Sequence, residues 1–231
     1  MALKNIKKHD YYNKTKNKYK LYCLIKKFFL KILFKTWNSF NFPWFDHRLD
    51  ELNWPNNLFW IERGVFGRKY IEKEDKVLDL CCGDGYFSIV FYSSVENVQI
   101  DAIDIDENVL ELGKMCNTNK CIKFYQKDIL KDIFPLKDYD VILFFEAIEH
   151  FAADDFSIIA KKINKCLKKG GYLIGSTPLV SIKEVGNWQH QNEFSNVDDL
   201  KNFLAKYFNN VDVWITEHPE RITAYFEVKN D

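Results

Sequence analysis

The feature that most constrains this 231-residue chain is an apolar run that ends in a glycine turn and at once restarts: Val77-Leu78-Asp79-Leu80-Cys81-Cys82-Gly83-Asp84-Gly85-Tyr86-Phe87-Ser88-Ile89-Val90-Phe91. Aliphatic residues up to position 80 predict a buried strand, and the apolar stretch resuming at Tyr86 predicts a helix. Residues 81–85 must then form a tight strand-to-helix turn. Glycine at 83 and 85 leaves the backbone free to take φ > 0 and to approach a ligand with no Cβ in the way. A nucleotide-bearing ligand at the carboxyl end of a strand fits such a turn.

Two ligand classes compete for it. A dinucleotide fold asks for Gly-x-Gly-x-x-Gly, with pyrophosphate resting on the helix N-terminus. Here the third glycine position is Ser88. The segments that follow place acidic residues at the ends of apolar strands. Residues 98–106 alternate as a half-buried strand and deliver Asp104 nineteen positions after Gly85, where a carboxylate can take both hydroxyls of a ribose. Residues 122–129 read as a third strand ending in Asp128. Residues 139–150 read as a fourth strand with the loop Glu146-Ala147-Ile148-Glu149-His150, and residues 167–178 as the end of a helix, a Gly-Gly turn and a fifth strand.

In this order the segments resemble the class I S-adenosylmethionine-dependent methyltransferases, of a type 11/23-like kind with a quinone or small-molecule O-methyltransferase-like core. The turn is similar to that family's Asp-Leu-Gly-x-Gly-x-Gly, with Asp79-Leu80 at its head and Cys81 in place of the first glycine. S-adenosylmethionine has no pyrophosphate to neutralise, so an acidic residue beside the turn can favour its cationic amino and sulfonium groups. The resemblance implies that Asp79, Cys81, Gly83 and Gly85 cradle this cofactor. It also implies that Asp104 and Ile105 meet its ribose, that Asp128 faces the adenine amino group with Ile129 packing on the ring, and that Glu146 borders the site.

The predicted order is helix 57–71, strand 77–81, helix 86–94, strand 98–103, helix 107–116, strands 122–125 and 140–145, helix 153–168 and strand 172–176. Such alternation predicts a parallel sheet covered on both faces. A helix near 197–207 and strands 211–215 and 222–228 around Pro219 then break the rhythm. The expected fold is α/β, Rossmann-like and doubly wound: a mainly parallel seven-stranded sheet with an antiparallel C-terminal strand, preceded by a helical extension. The expected division is an arm, 1–40, and a methyltransferase domain, 41–231.

Methyl transfer from a sulfonium asks the protein mainly to position and desolvate. A hydroxyl acceptor gains from a general base or a metal. Candidate catalytic groups are His150, at the carboxyl edge of the fourth strand; His190, in the long insertion after the fifth; and Glu146. Glu149 and Glu193 stand beside them. The leading expectation is O-methylation of a small-molecule or saccharide-like acceptor, with no metal. Glu146-Ala147-Ile148-Glu149-His150 with a later histidine is also similar to the Glu-x-x-Glu-His metal site of RNA ribose 2′-O-methyltransferases, which stands as an alternative. The others are a non-catalytic cofactor-binding module and a nicotinamide-dependent oxidoreductase, the latter disfavoured by Ser88 and the terminal hairpin.

Zero net charge conceals a division: residues 1–40 carry eleven lysines against one acid, Asp10, so the rest of the chain is acidic to the same degree. From Tyr19 to Trp37, lysines at 20, 27, 31 and 35 recur at helical spacing among leucine, isoleucine and phenylalanine, the pattern of a basic amphipathic helix. Residues 19–37 either cover the catalytic domain or meet an anionic membrane surface; attraction of nucleic acid is a third option. No uncharged run reaches the roughly 18–20 residues of a spanning helix. Six cysteines without a Cys-x-x-Cys pair suit a reducing compartment. The expected location is cytoplasmic, with peripheral membrane contact through the arm.

Overall fold

The computed structural model describes residues 58–180, 190–219 and 221–231 and, nearer the start of the chain, the helical residues 18, 20–22, 24, 25, 28, 29 and 32. The chain divides into two compact units, Met1–Trp44 and Phe45–Asp231. The segment from Asn41 to Trp54-Pro55, most of the basic arm, and residues 181–189 of the insertion lie outside the described residues.

In the second unit α1 (Leu58–Lys69) leads to β1 (Lys76–Leu80), the glycine turn and α2 (Tyr86–Val90). Then come β2 (Gln99–Asp104), α3 (Glu107–Cys116), β3 (Ile122–Gln126) and β4 (Tyr139–Phe145). After β4 follow α4 (Ala153–Cys166), β5 (Leu167–Leu179), α5 (Val197–Leu204), β6 (Asn210–His218) and β7 (Arg221–Lys229). The seven strands form one sheet in the order β3-β2-β1-β4-β5-β7-β6. The pairs among β3, β2, β1, β4 and β5 are parallel, whereas β7 runs antiparallel to both β5 and β6. This is the Rossmann-like, doubly wound sheet with an antiparallel C-terminal strand expected from the sequence.

Alternation along the central strands explains why both faces are covered. Leu78, Ile142, Phe144 and Phe226 point into a core with Phe156, Ile159 and Ile163 of α4 and Leu200 and Phe203 of α5. Their neighbours Val77, Val141, Leu143 and Tyr225 point the other way, onto a second core with Ile71 and Tyr92, against which Phe66 of α1 packs. β1 and β4 lie side by side and their chain connections leave in opposite directions. Their carboxyl ends therefore border the crevice where open α/β sheets bind ligands.

Several elements differ from their expected limits. The helix after the turn stops at Val90 and continues as a 3-10 turn, Tyr92–Ser94. There the hydroxyls of Ser93 and Ser94 donate to the carbonyls of Ile89 and Phe91, at 2.7 and 2.5 Å, competing with the helical ladder. The helix before the fifth strand ends at Cys166, and the glycine pair lies within β5: Tyr139 pairs with Leu167 and Val141 with Tyr172. Residues 168–171 are thus an irregularity in the strand. Asn230 fastens it, donating its backbone N–H to the Gly171 carbonyl at 3.0 Å and its side-chain amide to the Leu167 carbonyl at 2.9 Å. Finally, α5 ends at Leu204.

Candidate functional site

The turn after β1 is held by left-handed residues: φ is 57° at Cys81, 56° at Gly83 and 68° at Gly85. Cys82 N–H donates to the Ile103 carbonyl at 2.9 Å and Gly85 N–H to the Cys82 carbonyl at 3.0 Å, so the turn is tied to β2 and to itself. The Asp84 carboxylate accepts from Tyr86 N–H at 3.0 Å, satisfying a first-turn donor of α2. Close packing fixes what remains. A Cβ on Gly85 would come within 2.5 Å of the Phe124 ring, and one on Gly113 of α3 within 2.5 Å of the Asp84 carbonyl oxygen.

Asp79 lies beneath the turn, buried, and its carboxylate accepts from the Ser88 hydroxyl at 2.6 Å. Burial pushes this carboxyl up to about 7 against the Ser88 hydrogen bond, and nearby Asp104 adds to the rise. Ser88, which the sequence offers only as a missing glycine, is fully buried as the partner of that acid.

Asp104 ends β2 and closes on the turn. One carboxylate oxygen accepts from Gly83 N–H at 2.8 Å and the other from Asp106 N–H at 3.0 Å. Burial pushes its carboxyl up, while the N–H groups of Asp106, Gly83 and Ile105 oppose the rise. Next to it the Ile105 side chain is 64% exposed. Lys127 N–H donates to the Asp104 carbonyl at 2.9 Å, drawing the end of β3 alongside. There Asp128 accepts from Leu130 N–H at 2.9 Å and pairs with Lys131 at 2.7 Å. Lys131 holds the Asp128 carboxyl below the usual carboxylate range. Ile129 is buried in the core beside Leu80, Ile103 and Ile148.

A second polar group gathers beyond β4. Glu146 is left-handed, with φ 49°. One of its carboxylate oxygens meets both Arg63 of α1 at 3.0 Å and Arg221 of β7 at 2.5 Å, and the other accepts from the Ser176 hydroxyl of β5 at 2.8 Å. Burial alone would raise this carboxyl, yet Arg63 and Arg221, with Ser176, hold it below its usual range. The carboxylate offered by the sequence as a candidate base is engaged by two guanidiniums and a hydroxyl. Arg63 is buried and stacks over the Trp60 ring at 4.1 Å. Alongside, Glu62 accepts from Thr216 at 2.9 Å and lies 3.0 Å from His218.

A 3-10 turn at Ile148–His150 then presents Glu149 and His150. The backbone carbonyl of Glu149 accepts from Gln191 N–H at 2.8 Å and Asn192 N–H at 3.0 Å, which brings His190 onto His150 with ring centroids 5.3 Å apart, edge to face. Glu149 is buried; burial first, and Glu146 second, push its carboxyl up to about 8. Burial, and then His150, lower His190, while the Glu193 carboxylate lies 3.5 Å from its Nδ1. Glu149, His150 and His190 can each offer one metal-ligating atom, and these atoms lie within 4.8 Å of one another.

The candidates thus gather at the carboxyl edge of the sheet in two groups: the turn with Asp104, and the two histidines with Glu149. Arg63, Arg221 and Ser176 had no motif to announce them. Their signal in the sequence is a charged or polar residue interrupting an apolar pattern, which does not say where its partner lies.

The Methyltransferase domain family matches residues 58–215. Over 127 residues the chain is 27% identical to a demethylmenaquinone methyltransferase of Staphylococcus aureus, covering 52% of this chain and 52% of that protein. It therefore spans about half the length of the curated relatives it matches. Among solved structures, the 1,6-didemethyltoxoflavin-N1-methyltransferase of Burkholderia thailandensis, with 1,6-didemethyltoxoflavin and S-adenosylhomocysteine bound, superposes with a TM-score of 0.63. Its identity is 16%, over 77% of this chain and 81% of that one. Phosphoethanolamine N-methyltransferase 2 of Haemonchus contortus, in complex with S-adenosyl-L-methionine, gives 0.61 at 13% identity, covering 74% of this chain and 52% of that one. At such identities these two structures show a shared fold.

Proposed function

Because the chain belongs to the class I S-adenosylmethionine-dependent methyltransferases, we propose that it moves a methyl group from this cofactor to an oxygen of a small-molecule or saccharide-like acceptor. The observation that carries the cofactor half is Asp104, held at the end of β2 by the Gly83 amide of the glycine turn. Each carboxylate oxygen has a second lone pair beyond the one its backbone donor uses, which suits two ribose hydroxyls. Ile105, 64% exposed beside it, offers an apolar platform, and the turn carries no side chain at Gly83. These residues fit the cofactor. When bound, it supplies an activated methyl group and a good leaving group.

The two histidines support an oxygen acceptor. Burial and then His150 lower His190, which favours the neutral imidazole that can take a proton from a hydroxyl, and Glu193 beside Nδ1 stabilises the charge that results. Glu146 stays ionised within its arginine pair and acts as a positioning residue. The free thiols of the five described cysteines support placement in the cytoplasm.

Titration calorimetry with S-adenosylmethionine tests the cofactor half: the wild-type protein binds and Asp104→Ala does not. Equal affinity of the two would remove the basis of the assignment. Release of S-adenosylhomocysteine with a panel of quinols, catechols and hydroxylated sugars tests the acceptor half. His190→Ala should lower kcat by about 100-fold with cofactor affinity unchanged. Cofactor binding without turnover on any acceptor favours a non-catalytic module.

A second reading, metal-assisted transfer to an RNA ribose 2′-hydroxyl, is favoured by one observation, the convergence of Glu149, His150 and His190. Two imidazoles and a carboxylate suit a divalent ion able to lower the pKa of a hydroxyl. Glu146, engaged by Arg63 and Arg221, stands outside that ligand set. Cobalt(II) titration followed by visible absorption separates the readings: a d–d band that His190→Ala removes supports the metal, and a featureless spectrum removes it.

A further inference from the structure

Nine residues of the first unit are described, all helical and all exposed. Seven of them are large and apolar or aromatic: Leu21, Tyr22, Leu24, Ile25, Phe28, Phe29 and Ile32, with exposures from 47 to 66%. Exposed apolar residues scattered singly need no explanation, but seven within twelve positions form a continuous patch. At 100° per residue they fall within an arc of about 160° on one side of a helix. The same spacing aligns Lys20, Lys27 and Lys31 of the sequence in a separate row, at i, i+7 and i+11. Around them, residues 1–40 carry eleven lysines and a single acid.

We propose that residues 20–32 are an interfacial anchor that lays this apolar face into an anionic lipid bilayer, with Lys20, Lys27 and Lys31 at the headgroups. The choice of a bilayer over a protein groove rests on charge. A lysine row bordering an apolar face is the arrangement that a surface of anionic headgroups over hydrocarbon complements along its whole length. Thirteen positions, 20 to 32, would make about 20 Å if helical throughout, short of the roughly 30 Å of a hydrocarbon core. Among the described residues no helix is long and apolar enough to cross a membrane. The anchor therefore lies along the surface. It is independent of which acceptor the catalytic unit uses.

Flotation of the full-length protein with vesicles tests this directly. With phosphatidylcholine containing 30% phosphatidylglycerol at low salt, most of the protein should float, and the bound fraction should fall at least fivefold with pure phosphatidylcholine or at high salt. Ile25→Ser/Phe28→Ser/Phe29→Ser and, separately, Lys20→Glu/Lys27→Glu/Lys31→Glu should each abolish flotation, while S-adenosylmethionine binding stays at the wild-type level and shows that the catalytic unit is folded. Absence of flotation with anionic vesicles overturns the proposal. So does flotation that survives both triple variants, or flotation equal on neutral and anionic vesicles. Retention of RNA by protein that ignores vesicles would assign the lysines to nucleic acid instead.

Discussion

At the scale of single residues, the consequential positions are those where a charge is held without water. The Glu146 carboxylate is shared by Arg63 and Arg221, so Glu146→Gln leaves a buried guanidinium uncompensated. The expected cost is about 3–5 kcal/mol, read as a lower denaturant midpoint at unchanged slope. Asp79 behaves oppositely. Its carboxyl titrates near 4 in the unfolded chain and at about 7 in the folded protein, so across that interval the folded state holds a proton that the unfolded state has released. Stability from the protonated acid is complete below about pH 4 and is lost as pH rises through 7. In thermal melts without cofactor, Asp79→Asn should therefore melt above wild type at pH 8, with the difference shrinking toward pH 5. Neither behaviour is legible in the sequence: the resemblance places Asp79 beside the cofactor turn without saying that it is buried, and Ser88, which donates to it, carried meaning there only as a glycine that was absent.

At the scale of elements, the turn between β1 and α2 is clamped from outside as well as shaped from within. Gly113 lets α3 pass so near that an added methyl group would sit 2.5 Å from the Asp84 carbonyl oxygen. Alanine would otherwise improve a helix by up to about 1 kcal/mol. Gly113→Ala is nonetheless expected to destabilise by about 1–3 kcal/mol through overpacking and to weaken S-adenosylmethionine binding. A gain in melting temperature would show that the turn yields freely. The elements themselves were well marked in the sequence, since apolar periodicity, the glycine turn and acidic strand ends are local signals. Asp104 is an example, nineteen residues from Gly85 and joined to Gly83 in the fold. The glycine pair at 170–171 was misplaced because its conformation depends on Asn230, sixty residues away.

At the scale of the whole molecule, charge is sorted along the chain: the lysine-rich first forty residues balance an acidic remainder. A cation exchanger at pH 7.5 should retain this protein despite a formal net charge of zero, and the Lys20→Glu/Lys27→Glu/Lys31→Glu variant should elute earlier; co-elution would show that the basic segment is masked. The second unit is unified by a longer-range device. Arg63, Glu146 and Arg221 come from α1, the loop after β4 and β7, and their single junction joins the beginning, the middle and the end of the fold. Such a junction has an evolutionary signature. A lineage that loses the acid at 146 must shed the buried cation at 63 in the same step or soon after, because apolar replacement of a whole buried ion pair can be neutral where loss of one member is not. Across descendants of this chain, positions 63, 146 and 221 should therefore be inherited as one character, changing together or not at all.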